Sequence, residues 1–167
     1  MHILSHLSYP YIVANVVAFL VGKPIPLEYN LLILFFSLFP DFDIAVDFIY
    51  QMITKKKYKV PDSHHALPTH WPIVYLPLVV IAIATLNTFF IIATGAIYVH
   101  LMMDTLFCNE GLMFFYPFSK KWYIFFSSKT KQKKGLDWNK AYSKLLVSKI
   151  DKVAFLLVFI HIIILLA

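Results

Sequence analysis

Arginine is absent from this chain, cysteine occurs once, and charged residues make up only 14% of the sequence. A soluble domain averages roughly 25% charged residues, so this composition is outside the ordinary globular range. The single cysteine, Cys108, excludes an internal disulfide and also excludes a zinc site built from several thiolates. Any bound metal must therefore be held by nitrogen and oxygen ligands.

Apolar side chains dominate the sequence instead, at 60% of all residues, and the mean hydropathy is +0.72. So much apolar surface favours burial in lipid over burial in a soluble core. The 167 residues contain no glycine-rich or serine-rich linker, which predicts a single domain over residues 1–167. We therefore expect one domain embedded in a membrane.

The net charge of +6 comes from lysine alone, and most lysines are concentrated in two stretches beside apolar runs. These stretches contain Lys55, Lys56, Lys57 and Lys59, and then Lys120, Lys121, Lys129, Lys131, Lys133 and Lys134. Basic residues next to membrane spans indicate topology and contact with anionic lipid headgroups. We expect membrane lipids as partners and no nucleic acid.

Five helices are predicted, and together they form an all-α integral membrane helical bundle. The first covers residues 4–21 and the second residues 27–53, where Pro40 breaks the helix because proline removes a backbone hydrogen bond. The apolar run 71–107 is too long for one crossing of about 20 residues. We therefore divide it near Asn87 into the third and fourth helices.

A basic loop over residues 108–138 then leads to a last helix over residues 139–167. With five crossings, the N-terminus and both lysine-rich loops lie on the same side of the membrane. Lysine excess marks the cytoplasmic side, which predicts a cytoplasmic N-terminus in a prokaryotic-type cytoplasmic membrane.

His100 and Asp104 are four residues apart in the fourth predicted helix and therefore share one helix face. Ionisable side chains inside membrane spans are costly and rarely face lipid, so each is a candidate functional residue. This pair offers a metal one nitrogen and one oxygen ligand from a rigid element. A local hydrogen bond between the two side chains is the alternative.

Three aspartates follow the break in the second helix. Asp41 and Asp43 repel each other unless a cation or a proton lies between them, which favours metal ligation. Capping of the following half-helix is the alternative for Asp41. Asp47, one helical turn further along, is a candidate ligand or an unligated general base.

Three of the seven histidines, His64, His65 and His70, lie within seven residues before the third helix, and His6 begins the first. The predicted topology brings His6, His65 and His70 to the same membrane side as the His100–Asp104 pair, while polar surface is the alternative for His64. This convergence predicts that the metal site opens on the cytoplasmic face. We assign a packing or interfacial role to His161, and a frayed terminus to His2.

Four segments carry these residues in a fixed order within residues 1–120. They are Leu38-Phe-Pro-Asp41-Phe-Asp43, His65-Ala-Leu-Pro-Thr-His70, His100-Leu-Met-Met-Asp104 and, after Gly111, Phe115-Tyr-Pro-Phe-Ser119. Together they resemble the YdjM-like family of membrane-bound metal-dependent hydrolases. That family is itself similar to zinc-dependent phospholipase C and to single-strand nucleases of the P1 type, which are all-α enzymes that cleave phosphoesters with clustered metals.

The resemblance implies seven metal ligands in this chain, which are His6, Asp41, Asp43, His65, His70, His100 and Asp104. The chain departs from the family pattern in the second motif. Ala66 stands where the family carries arginine, Leu67 where it carries glycine, and Trp71 where serine is usual. Whatever contact the family's arginine makes with a phosphate is therefore missing from this chain, which has no arginine elsewhere to replace it.

Histidine and carboxylate ligands without thiolate suit zinc first, with manganese(II) and iron(II) as alternatives, and seven ligands suffice for two or three ions. We expect a membrane-bound hydrolase in which a metal-activated water cleaves a phosphoester of a lipid or lipid-linked substrate, with Asp47 as general base. The alternative is a non-enzymatic membrane metal-binding protein, or a small metal or proton transporter. A transporter would need polar residues toward both faces, and the predicted polar residues lie mostly near one.

Overall fold

The computed structural model describes residues 3–54, 64–107, 111–125 and 146–167. Over these residues the chain is mainly helical, and the segment 111–125 consists of turns and extended chain with one isolated bridge between Leu112 and Tyr123. The α-helices of this part are α1 (Ile3–Leu20), α2 (Leu27–Ser37), α3 (Phe42–Thr54), α4 (Leu76–Thr85), α5 (Thr88–Phe107) and α6 (Leu146–Leu166). The predicted all-α membrane fold is confirmed.

The second apolar run is broken as the sequence predicts. Helix α2 ends at Ser37, a single 3-10 turn covers Phe39–Asp41, and α3 begins directly at Phe42. Pro40 lies inside the 3-10 turn and has no amide hydrogen to continue the α2 ladder. The amide of Asp41 donates to the carbonyl of Leu38 at 3.0 Å, so the backbone changes direction at the two aspartates.

The boundary between α4 and α5 lies where the sequence predicts it. Leu86 has a φ of 49° in the left-handed region, and this residue ends α4. The side-chain oxygen of Asn87 then accepts a hydrogen bond of 2.9 Å from the amide of Phe89, which satisfies a donor in the first turn of α5. A two-residue connection makes the two helices antiparallel neighbours.

The start of the third predicted helix differs from the prediction. Residues 64–75 form three short 3-10 turns, His64–Ala66, Pro68–His70 and Pro72–Tyr75, and α4 begins only at Leu76. Prolines at the beginning of the second and third turns prevent a continuous α-helical ladder. The hydroxyl of Tyr75 donates to the carbonyl of Thr69 at 2.6 Å and fixes the segment that carries His70.

Helix α5 lies at the centre of the bundle and packs against α1, α2 and α4, while α6 packs mainly against α1. One apolar core is formed by Tyr11, Ile33, Ala96 and Val158, which come from four different helices. A second core contains Tyr75, Ile97, Leu101 and Leu112. Since α1 and α5 both contact α2 and each other, their polar residues meet inside the bundle.

Among the described residues, α1 and α5 are long and apolar enough to cross a membrane. Their outward faces are strongly apolar and exposed, as Phe19 at 82% and Leu20 at 76% illustrate. Helices α2 and α4 have 11 and 10 residues, so each spans about 15 Å, or roughly half of a hydrocarbon core. Five complete crossings therefore stay a prediction, as does the single domain.

The last helix is described from Leu146 onward, and most of the predicted basic loop over residues 108–138 lies outside the described residues. The same is true of Cys108, of His2, and of the lysines between residues 55 and 59. The described part of the loop, residues 111–125, folds back on itself through the bridge between Leu112 and Tyr123.

Candidate metal centre

The seven residues that the sequence predicts as ligands lie together in one polar cluster inside the bundle. His6 comes from the first turns of α1, and His100 and Asp104 come from the last two turns of α5. The remaining four are Asp41, Asp43, His65 and His70, from the helix break and from the 3-10 turns that precede α4. The structure thus joins side chains that are up to 98 residues apart in the sequence.

Asp104 lies at the centre of this cluster and is fully buried. Its Oδ1 is 3.3 Å from Nε2 of His6. Its Oδ2 is 3.2 Å from Nε2 of His100, 3.6 Å from Nε2 of His65 and 3.8 Å from Nε2 of His70. The two oxygens of one carboxylate therefore face two different sets of imidazoles.

Asp41 and Asp43 approach the cluster from the side of the helix break. Asp41 Oδ1 lies 3.4 Å from Nε2 of His70 and 3.8 Å from Nε2 of His100. Asp43 Oδ2 lies 3.5 Å from Nδ1 of His70 and accepts a hydrogen bond of 2.9 Å from the hydroxyl of Thr69. The side chains of Asp41 and Asp43 are 11% and 9% exposed, whereas the histidines and Asp104 are at most 3% exposed.

Two backbone carbonyls orient the imidazole rings. Nδ1 of His100 is 2.6 Å from the carbonyl oxygen of Ser37, and Nδ1 of His65 is 3.0 Å from that of Gly111. Because a carbonyl can only accept, Nδ1 carries the hydrogen in both rings and Nε2 presents its lone pair to the cluster. This is the arrangement that metal-binding histidines commonly have.

The break at Pro40 explains why the carbonyl of Ser37 can bind His100. In a continuous helix that carbonyl would accept from the amide of Asp41, four residues later. Here the amide of Asp41 donates to Leu38 instead. The same distortion that aims Asp41 at the cluster therefore also supplies an acceptor for His100.

The neighbouring carboxylates shift the pKa of His70. Burial alone would lower the pKa of His70, but its contacts with Asp41 and Asp43 outweigh burial and raise this pKa to about 9. In the absence of a metal, a proton on His70 thus balances part of the negative charge.

The chemistry and spacing of these groups suit a metal ion. Three sets of ligand atoms have all members within 4.8 Å of one another: His6, His100 and Asp104; Asp41, His70 and His100; and His65, His70 and Asp104. Two ligands that each lie about 2.0–2.1 Å from a tetrahedral zinc ion are about 3.3 Å apart. The observed nitrogen–oxygen separations of 3.2–3.8 Å are close to this value, and most exceed an ordinary hydrogen bond.

Several predicted assignments are not tested by this geometry. Asp47 lies within α3, but its side chain is outside the described residues, so its role as general base stays a prediction. The side chain of His64 is likewise outside them. His161 on α6 is hydrogen-bonded to the hydroxyl of Tyr11 at 2.8 Å, in keeping with the packing role that we assign to it.

Sequence reasoning missed the groups that hold the ligands in place. The carbonyls of Ser37 and Gly111 leave no side-chain signal, and the hydroxyl of Thr69 is ordinary in any polar turn. Trp71 stands out in the sequence only as a departure from a motif. Its indole nitrogen donates to the carbonyl of Ala66 at 3.2 Å, so two of the three departures from the motif contact each other, and its ring centroid lies 3.9 Å from that of Tyr116.

Comparison with known families extends over the whole chain. The family described as YdjM inner membrane protein matches residues 1–167. No curated protein and no solved structure matches the chain. The family match includes α6, which lies beyond the four motifs identified in the sequence.

Proposed function

The chain belongs to the YdjM inner membrane protein family, and on this premise we propose that it is a membrane-bound, metal-dependent hydrolase. The single observation that carries the proposal is the buried cluster of four histidines and three aspartates, with nitrogen–oxygen separations that suit shared coordination. Burial of so many ionisable groups in an apolar bundle is costly and persists where it serves a function. Divalent ions held by these ligands would offset that cost.

We favour zinc, because imidazole and carboxylate without thiolate are ligands that zinc accepts readily, while manganese(II) and iron(II) share this preference. The three ligand sets share His100, His70 and Asp104, and one imidazole nitrogen serves one ion at a time. Asp104 can serve two, because its oxygens face different imidazoles. These residues would therefore hold two ions, with Asp104 as a ligand available to both, more readily than three.

When bound, a divalent ion supplies positive charge that polarises a phosphoester and lowers the pKa of water so that water can attack phosphorus. The chain's own contribution is to hold the ligands in place and to exclude bulk water. Asp41 and Asp43 are the ligands with exposed surface, so the reacting group would enter on their side. Asp47, one turn further along α3, is our candidate for accepting the proton from that water.

A lipid or lipid-linked phosphoester is the substrate that the surroundings favour. The segment 111–125 contacts the cluster through the carbonyl of Gly111, and it exposes Phe118 at 85% together with Lys120 and Lys121. Aromatic side chains beside lysines are typical of the headgroup level of a membrane, where the lysines attract anionic phosphates. We propose that the N-terminus and the cluster lie on the cytoplasmic side of the inner membrane.

The decisive experiment is metal analysis of the purified protein, followed by phosphoesterase assays on phospholipid and on generic phosphoesters. His70→Ala and Asp104→Asn should each lose bound metal and activity. His161→Gln is the matched control, because it removes a histidine that bonds to Tyr11 on α1 and should keep both. A wild-type protein without metal, or equal metal content in all variants, would contradict the proposal.

The near-complete burial of the cluster favours a second candidate, a closed structural metal site in a protein that is not an enzyme. Structural zinc sites use all four positions for protein ligands, whereas catalytic sites keep one open. Five of the seven side chains are at most 3% exposed. Metal retained without hydrolysis of any phosphoester would support this alternative, and metal flux in liposomes would indicate a transporter instead.

A further inference from the structure

Helix α6 carries a buried carboxylate that the metal cluster does not use. Asp151 lies on α6, is 1% exposed, and belongs to none of the three ligand sets. The hydroxyl of Ser5 donates to its Oδ2, and the hydroxyl of Tyr9 donates to its Oδ1 at 2.8 Å. Both hydroxyls belong to α1, so a single side chain of α6 binds α1 at two points.

The two donors flank the metal-binding end of α1. Ser5 and Tyr9 are four residues apart and so share one helix face, and His6 directly follows Ser5. His6 thus lies between the two donors along α1, one residue from Ser5. A contact that fixes these turns of α1 against α6 therefore also fixes the backbone that carries His6.

We propose that Asp151 is a positioning residue for His6, which it holds by fixing the first turns of α1 against α6. With this turn fixed, Nε2 of His6 stays 3.3 Å from Asp104, and the ring of His6 stacks on that of His100 with centroids 3.9 Å apart. The functional consequence rests on the proposed metal centre. The structural part of the proposal, that Asp151 orders the first described turns of α1, does not depend on the metal centre.

The remaining contacts between α1 and α6 explain why removing the Asp151 contacts should loosen only the start of α1. Tyr11 is hydrogen-bonded to His161, and Val158 packs in the core with Tyr11. These contacts lie further along both helices and do not involve Asp151. Loss of the Asp151 contacts should therefore release the start of α1 while α6 stays packed against its middle.

The test uses the full-length protein in nanodiscs and needs two readouts. Amide hydrogen exchange of peptides covering residues 3–12 reports the order of the α1 start without any metal. Titration with Zn²⁺ against a competing chelator reports metal affinity. Asp151→Asn keeps the size of the side chain but loses one acceptor and the charge, and the double variant Ser5→Ala/Tyr9→Phe removes both donors without changing α6.

We expect faster exchange in residues 3–12 and about 10–100-fold weaker zinc binding in both variants, the range that is typical when a group supporting a metal ligand is removed. His161→Gln is the control for a general loss of α1–α6 packing. It should lower the melting temperature without weakening zinc binding. Lys152→Gln, an exposed neighbour of Asp151 on α6, should change neither readout.

Unchanged exchange in both Asp151→Asn and the double variant would overturn the proposal, as would faster exchange with unchanged zinc affinity. Equal loss of zinc binding in His161→Gln would also overturn it, because the effect would then be general destabilisation. If the wild-type protein binds no metal, the proposed metal centre fails, and hydrogen exchange still decides whether Asp151 orders the start of α1.

Discussion

Gly111 contributes to the cluster through its backbone and through its lack of a side chain. Its φ is +67°, its carbonyl binds Nδ1 of His65, and a Cβ at this position would lie 2.4 Å from the backbone oxygen of Tyr123. Gly22, at the end of α1, has the same φ of +67°, but a Cβ there would meet nothing within 4 Å. These two glycines of the described residues therefore share a positive φ but have different surroundings.

Gly111→Ala should reduce both stability and metal content. The left-handed conformation alone costs an alanine about 1 kcal/mol, and the clash with Tyr123 adds to this cost because it involves backbone. Gly22→Ala carries the conformational cost without the clash, so it should lower the melting temperature less and keep the metal. Thermal unfolding in detergent and metal analysis check both variants, and equal effects would argue against a role for Gly111 at the site.

Metal binding should release a proton from His70. The pKa of His70 is about 9 without metal, so this residue is protonated at pH 7 and must lose its proton to coordinate an ion. Apparent affinity should therefore rise about tenfold per pH unit for that proton and level off near pH 9. Calorimetry in two buffers with different protonation enthalpies measures the release, and pH-independent binding would contradict the assignment of His70 as a ligand.

The candidate site could be predicted from the sequence because each candidate ligand is an ionisable residue in or beside an apolar segment, where an apolar side chain would cost less free energy to bury. His100 and Asp104 share a helix face by spacing alone, and the Asp41–Asp43 pair is marked by Pro40. The supporting groups could not be predicted in the same way. Asp151 is an ionisable residue in an apolar helix and is therefore conspicuous in the sequence. Its partner Ser5 is 146 residues away, so the sequence around Asp151 does not indicate this contact.

At the scale of elements, two helices of this chain end with the same backbone conformation but with different residues. After α1, Gly22 adopts the left-handed conformation, and the amide of Lys23 closes the helix on the carbonyl of Ala18 at 2.9 Å. After α4, Leu86 adopts it instead, with a φ of 49°, and its side chain is 75% exposed. Leucine is strained there, because its Cβ crowds the backbone in this conformation.

Leu86→Gly should stabilise the protein by about 0.5–1 kcal/mol, because relief of the strain exceeds the extra chain entropy of glycine. Little packing is lost, since the leucine side chain is largely exposed. Leu20→Gly, at an equally exposed position inside the last turn of α1, is the control and should destabilise by about 1 kcal/mol. Thermal unfolding in detergent distinguishes the two, and a lower melting temperature for Leu86→Gly would contradict this account.

The elements that could be predicted are those with strong local signals. Pro40 predicts the broken second helix, and the polar turn at Asn87 predicts the division between α4 and α5. The 3-10 turn Pro72–Tyr75 escapes prediction because its apolar residues have the composition of the helix that follows, while Pro72 cannot supply an amide hydrogen to an α-helical ladder. The bridge between Leu112 and Tyr123 depends on a contact across ten residues and has no periodic pattern.

At the scale of the whole molecule, the polar groups are distributed asymmetrically along the bundle. The cluster contains the start of α1 and the end of α5, and these helices are about 27 and 30 Å long at 1.5 Å per residue. Lys23, which follows the end of α1 at Leu20, is therefore about one helix length away from His6. Because Gly111 contacts His65, the exposed residues Lys120 and Lys121 follow the cluster on its own side.

This asymmetry leads to a test of orientation. The variant is Lys120→Cys in a protein whose Cys108 is replaced by alanine. Because lysine excess marks the cytoplasmic side, this cysteine should react with a membrane-impermeant reagent only after the cytoplasmic side of the membrane is made accessible. Lys23→Cys is the matched control and should react in intact cells, because it lies one membrane crossing away from the cluster. Reversed labelling would place the cluster on the outer side, where cytoplasmic lipid phosphates could not reach it. Labelling of both sites from the same side would instead show that α1 lies along the membrane, because its two ends would then face the same solution.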